Sequence, residues 1–213
     1  MADLIIPALL QTIYMVFFST LFSLLLGFPM GILLVITEKN GIWEKKQLNK
    51  ILNGIINALR SFPFIILMIL LFPLSKLIIG KTIGTTATIV PLSIAAAPFV
   101  ARVIESSLKE IDKGIIESSL AMGCSVPEII FKVLIPESLP SLVLDVTTTI
   151  INIIGYSAMA GAIGGGGLGD VAIRYGLYRF QTDVMVVAVI VIIILVQGIQ
   201  FVGNRLSTKL NKK

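Results

Sequence analysis

Apolar positions along the chain fall into five long runs separated by short polar segments. The runs span approximately Leu9–Ile36, Phe62–Ile79, Ile83–Ile104, Leu139–Ala162 and Val184–Val202. Each is apolar on every side rather than along one stripe, and each approaches the roughly 20 residues a helix needs to cross a bilayer. The pattern predicts an all-α, polytopic membrane protein with five transmembrane helices, forming one transmembrane domain over residues 1–213. The first run holds 28 residues, about 42 Å of helix, which exceeds a hydrocarbon core of about 30 Å. Tilt or a kink is expected there, at Pro29 between Gly27 and Gly31. Pro91 and Pro98 interrupt the third run, so neighbouring helices must satisfy the carbonyls those prolines leave free.

Charge sets the orientation. Basic residues cluster at 39–60 (Lys39, Lys45, Lys46, Lys50, Arg60), at 102–132 (Arg102, Lys109, Lys113, Lys132) and at the C-terminus (Arg205, Lys209, Lys212, Lys213). These thirteen lie on one side of the alternating spans, against four (Lys76, Lys81, Arg174, Arg179) on the other. The asymmetry places the N-terminus outside and the C-terminus in the cytoplasm of a multi-pass protein. The first run lacks a basic leader and a small-residue cleavage site, so it reads as a span rather than a removed signal peptide. The net charge of +5 follows this loop distribution and implies no nucleic acid.

Composition then narrows the chemistry. With no histidine and one cysteine, Cys124, the chain has no means for His-dependent catalysis, a His-bearing metal site or an internal disulfide. No catalytic residue and no metal site is expected. Two glycine motifs look like nucleotide sites. "GAIGGGGLGD" contains the spacing G-x-G-x-x-G at Gly164, Gly166 and Gly169, but it follows a membrane helix instead of a strand. "SKLIIGKT" has Ser75 where a phosphate loop needs its first glycine. Both fall on the outer side, so no cofactor is expected in this chain.

The least apolar stretch between spans is "ESSLAMGCSVPEIIFKVLIP", Glu117 to Pro136, within a loop over residues 105–138. Asp112 is placed to cap a helix through Ile115–Met122, and Gly123 to end it. Ser125 and Glu128 form a capping-box pattern with Pro127 in the first turn, and Glu128 and Lys132 stand four apart. The result is a helix–turn–helix elbow at the cytoplasmic face, kept slender by Ser118, Ser119, Ala121 and Gly123. It packs only against its own bundle, or it receives a partner.

The order Glu117-Ser118-Ser119, Gly123, then Val133-Leu134-Ile135-Pro136 resembles the EAA loop of ABC importer permeases. Serines stand where that family usually has alanines, and Val133 and Ile135 replace its Ile and Leu. The segments "LRSFPFIILMILLFPLSKLIIG", "AAAPFVARVIESSLKEID", "LIPESLPSLV" and "GYSAMAGAIGGGGLGD" extend the likeness to the permease subunits of bacterial methionine importers, which have five spans. The resemblance implies that residues 112–136 are a cytoplasmic coupling-helix loop, with Glu117, Ser118, Ser119, Ala121, Gly123, Ile135 and Pro136 at the ATPase contact. It implies two copies of a separate ABC ATPase subunit holding ATP and magnesium, a second copy of this chain, and an external substrate-binding lipoprotein. The setting it implies is the bacterial cytoplasmic membrane, and the solute it implies is methionine, the L form first and the D form as a second candidate.

The fourth run carries Asp145, Thr149, Asn152, Tyr156 and Met159, spaced 4, 3, 4 and 3, hence on one helical face. Polar groups in a bilayer face a wet cavity or the bundle interior. The stripe therefore reads as a pore wall with Met159 as an outer constriction, or as hydrogen bonding within the subunit. Gln197, Gln200 and Asn204 form a shorter face on the last run, read as interfacial. Three other functions remain to be weighed. They are an ABC permease for another amino acid or a small osmolyte, a secondary transporter working without ATPase, and a structural membrane anchor. A secondary transporter would show paired repeats and several intramembrane charges, and neither pattern is visible here.

Overall fold

A computed structural model describes residues 1–211, so Lys212 and Lys213, two of the basic residues counted at the C-terminus, lie outside the described residues. The described chain is helical, with no strand. Helix α1 covers Ala2–Ile36, α2 Lys46–Ser61, α3 Phe64–Leu70, α4 Phe72–Ile79 and α5 Thr85–Lys109. After α6 (Lys113–Ala121), a short α7 (Val126–Ile129), a π-helical turn (Ile130–Leu134) and α8 (Ile135–Glu137) lead into α9 (Leu139–Gly161). Then come α10 (Gly167–Val171), a second π-helical turn (Ala172–Leu177) and α11 (Thr182–Leu210). Helices α1, α5, α9 and α11 are each long and apolar enough to cross a bilayer.

The second expected span is not one straight helix. Proline accounts for both of its breaks. Phe62, ahead of Pro63, is held extended (ψ 134°), and α2 and α3 meet there at 105°. Pro73 lacks the N–H that would continue α3, so the chain restarts as α4 after Leu71. Counting the bent pair α2–α3 as one crossing gives five spans. Helix α2 itself lies in what the charge pattern treats as a loop.

Helices α1 and α5 form the centre, pressed together by small residues. A Cβ at Gly27 would lie 2.5 Å from the Ala97 carbonyl oxygen, and one at Gly31 2.8 Å from that of Ala101. Only glycine permits this separation, and the gain is dispersion contact along two backbones. α9 packs on both helices, and α11 lies against α9 with most of its surface open to lipid. At one end of the bundle the side chains of Gln11 and Thr12 meet the glycine-rich turn after α9. At the other, Ser207 near the end of α11 donates to the Pro140 carbonyl at the start of α9, 2.9 Å away.

That second end holds the elbow. Val35, Ile36, Val100, Ile104, Leu108, Ile129, Leu134 and Leu142 bury one another there, joining α1, α5 and α9 to α7 and the first π-helical turn. Burying Ile129 and Leu134 stabilises the attachment by about 1.5–3 kcal/mol each. The part of the elbow after Ser125 is thus held in the bundle, while α6 meets the same core only through Ile116 and keeps most of its length exposed.

Candidate functional site

The elbow begins with Asp112, whose carboxylate accepts the Gly114 N–H at 2.6 Å and caps α6. Its other end is closed by paired bonds, Gly123 N–H to the Leu120 carbonyl (2.9 Å) and Cys124 N–H to that of Ser119 (3.1 Å). Gly123 is left-handed, φ +79°. This is a Schellman cap, and the conformation is one that only a residue without Cβ adopts freely. Ser125 N–H and Oγ–H both donate to Glu128, at 3.0 and 2.8 Å, and Lys132 pairs with the same carboxylate at 3.0 Å. Those donors, the Ser125 amide first, hold Glu128 well below its ordinary value, at about 2. Pro136 gives the wide turn before it a cause. Its ring cannot fit an ordinary α-turn, and Ile135 N–H bonds instead to the carbonyl of Ile130, five residues back.

The residues expected at an ATPase contact divide into two sets. Glu117, Ser118, Ala121, Gly123 and Pro136 are exposed. Ser119 is buried and donates to the Ile115 carbonyl at 2.8 Å, and Ile135 packs against the core of the elbow end. Ser118 likewise bonds back to the Gly114 carbonyl at 2.6 Å, so both hydroxyls are satisfied within α6 and add no width. Between the exposed residues stand Leu120 and Met122, the latter 76% exposed, which the motif alone does not bring forward. Leu120 and Met122 form a small exposed apolar pair at the C-terminal end of α6.

The stripe on α9 also divides. Asp145 accepts the Ser107 hydroxyl at 2.6 Å, which ties α9 to α5. Thr149 is 1% exposed and donates to the Asp145 carbonyl at 2.8 Å. Tyr156 stacks on Phe64 of α3, ring centroids 4.3 Å apart and planes 10° from parallel. These three make contacts inside the subunit. Asn152 is half-buried and makes no side-chain hydrogen bond among the described residues, and Met159 is 46% exposed. The open face of α9 runs through Leu144, Thr148, Gly155 and Met159, and half-buried Asn152 stands between Thr148 and Gly155, so the polar stripe meets the open face at Asn152 and Met159. Helical spacing groups residues by direction, but it cannot say which direction a neighbouring helix covers.

One polar cluster escaped the sequence reading. Arg102, counted there with the loop, lies inside α5, and its guanidinium donates to Glu105 (2.6 Å), Asn53 (2.7 Å) and Asn57 (2.7 Å). Lys109 continues the chain of charges to Glu105 (2.8 Å) and Glu38 (2.7 Å). The partners on α2 make a cation tolerable at that depth, and they come from a helix the charge pattern had hidden. The signal available was Asn49, Asn53 and Asn57, four apart on one face.

At the opposite end the glycine-rich turn is pinned to α1. Gly167 N–H donates to Gln11 Oε1 and Leu168 N–H to Thr12 Oγ1, both at 2.9 Å. These amides are spent on the protein and form no phosphate cradle.

Residues 23–213 match the family described as "Binding-protein-dependent transport system inner membrane component". A "Probable D-methionine transport system permease protein MetI" of Vibrio cholerae is 47% identical over 212 residues, covering 100% of this chain and 94% of that protein. The "Methionine import system permease protein MetP" of Bacillus subtilis is 43% identical over 181 residues, covering 85% of this chain and 82% of its own. Among solved structures, an inward-facing MetNI methionine ABC transporter in its native crystal form superposes with a TM-score of 0.98 at 42% identity, covering 100% of this chain and 98% of that one.

Proposed function

Because the chain belongs to the binding-protein-dependent transport system inner membrane components, we propose that it is the membrane-spanning subunit of an ATP-driven methionine importer in the cytoplasmic membrane. The solute is taken from relatives named for methionine import and D-methionine transport. Two copies of the chain would enclose the path, two copies of a separate ATPase would bind ATP and magnesium, and an external lipoprotein would deliver methionine.

The observation that carries this reading is the elbow. α6 is capped at both ends and leaves Glu117, Leu120 and, at its C-cap, Met122 exposed. A stiff helix of this kind transmits a displacement instead of absorbing it. Its far end is continuous with α7 and the buried core, so movement of α6 by an ATPase would turn α5 and α9 together. The open face of α9, with Met159 towards the glycine-rich end, would form the wall and outer gate where two copies meet. A thioether suits that position, because its flexible chain fills an irregular gap and moves aside. Asn152, without a partner of its own, is the polar group of the stripe best placed to meet a passing solute. This assignment puts the elbow and the C-terminus in the cytoplasm, the N-terminus outside, and ATP hydrolysis in the partner.

The test is reconstitution in vesicles with and without the ATPase. Methionine uptake should require the ATPase and ATP. Gradient-driven uptake by this chain alone would overturn the assignment in favour of a secondary transporter.

A further inference from the structure

The segment between α1 and α2, residues 37–45, is built as firmly as a helix end. Thr37 Oγ1 donates to the Leu33 carbonyl at 2.6 Å, Trp43 N–H to that of Ile36 at 2.9 Å, and Lys45 N–H to that of Thr37 at 3.0 Å. Asn40 turns the chain in a left-handed conformation (φ 63°), and its N–H donates to Glu44 at 2.9 Å. Glu38 pairs with Lys109 at 2.7 Å, fixing the segment to the last turn of α5. Loops that only connect spans do not need such an inventory of contacts, and asparagine at position 40 suits the left-handed turn that these contacts use.

This loop stands directly beside α6. Between them lies a groove of about 380 Å³, bordered by Glu38, Asn40 and Ile42 on one side and by Ile116, Glu117 and Leu120 on the other. Lys39 and Lys113 line the same groove with Glu38 and Glu117, so its charges balance and it carries no net acidic field. Lys39 and Trp43 are exposed on the loop. Tryptophan is the residue whose burial contributes most at protein contacts, and this chain has only one.

We propose that residues 38–43 form the second wall of the ATPase docking site, facing α6 across the groove. The inference rests on the importer reading above, since it needs an ATPase at α6. It adds that docking is two-walled, so the partner reads the end of α1 as well as the elbow. That would also bring ATPase motion to Lys109 and Arg102, and so to α2, by a route that bypasses α6.

The assembled importer tests this with a photo-activated benzoylphenylalanine in place of Trp43, or of Leu120, with Lys81 at the opposite end as control. Assembly of each permease is checked first by its elution as the parent complex. Capture of the ATPase from both 43 and 120, but not from 81, is the expected result. Capture from 120 alone, with 43 reacting only with phospholipid or not at all, would overturn the two-walled site and leave the elbow reading intact. Capture from 43 alone would equally overturn the shared groove. Capture from neither, in a complex that still contains the ATPase, would place the contact elsewhere and overturn docking at the elbow and this inference together. As a second measurement, Trp43→Ala should weaken ATPase association about 5- to 30-fold. An unchanged association with 43 buried in no partner would exclude the loop from the contact.

Discussion

Substituting Gly123 separates the backbone from the side chain at the point where the elbow turns. No atom lies within 4 Å of a Cβ built there, so alanine meets no clash within the subunit. Its cost is conformational. A residue with a Cβ at φ +79° gives up about 1–2 kcal/mol, a 5- to 30-fold shift away from the capped turn. Two hydrogen bonds are at stake, Gly123 to Leu120 and Cys124 to Ser119. Asparagine tolerates the left-handed region and should largely keep them. Leucine carries the same strain as alanine and adds bulk that points only outward. Against a fitted partner, that bulk costs a further roughly 1–3 kcal/mol. The expected order of ATPase association is therefore wild type, then Asn, then Ala, then Leu. The thermal stability of the purified permease dimer should stay nearly level, because Gly123 itself is exposed and only its neighbour Cys124 packs against the core of the elbow end. The assay is co-purification and titration of the ATPase on dimers of verified size, with uptake measured in parallel. If Gly123→Leu binds the ATPase as well as Gly123→Asn, the outward face of the turn touches no partner. If Gly123→Leu destroys the dimer itself, the turn serves internal packing and the coupling argument fails.

Met159→Ala should open the path and give solute leak or ATPase activity without binding protein, and Met159→Trp should block uptake in an intact complex. Parental transport by both variants would reduce Met159 to packing. Asn152→Leu should change the transport rate far more than the preference for methionine over other amino acids, since one amide offers little to choose by. Thr149→Val, at a buried position bonded to its own helix, should change neither, and a switch of solute preference by either variant would contradict the reading. For Glu128 the folded value, about 2, lies below the ordinary 4.5, so its contribution to the elbow is complete above the unfolded value and is lost only as pH falls towards 2. Wild type and Glu128→Gln should therefore show parallel ATPase binding from about pH 5 upward, and a difference that appears only within that range would mean another group controls the carboxylate.

The sequence by itself determined the class of the molecule and the local design of the elbow. Apolar runs near 20 residues have one stable solution in a bilayer, and Asp112, Gly123, Ser125 and Glu128 act through bonds to residues two to four positions away. Such contacts are set by covalent neighbourhood, so they are legible before any fold is known. The tertiary structure decided everything that depends on which side of a helix is covered. Asp145, Thr149 and Tyr156 share a face with Met159, yet Ser107, the helix's own backbone and Phe64 occupy those three and leave Met159 open. Ser118 and Ser119 are adjacent in the motif, and one faces outward while the other is buried. Arg102 reads as a loop cation until α2 brings Asn53 and Asn57 to it from 49 and 45 positions away. Long-range partners of this kind depend on how α2 bends at Pro63 and lies on α5, and no local pattern encodes that approach.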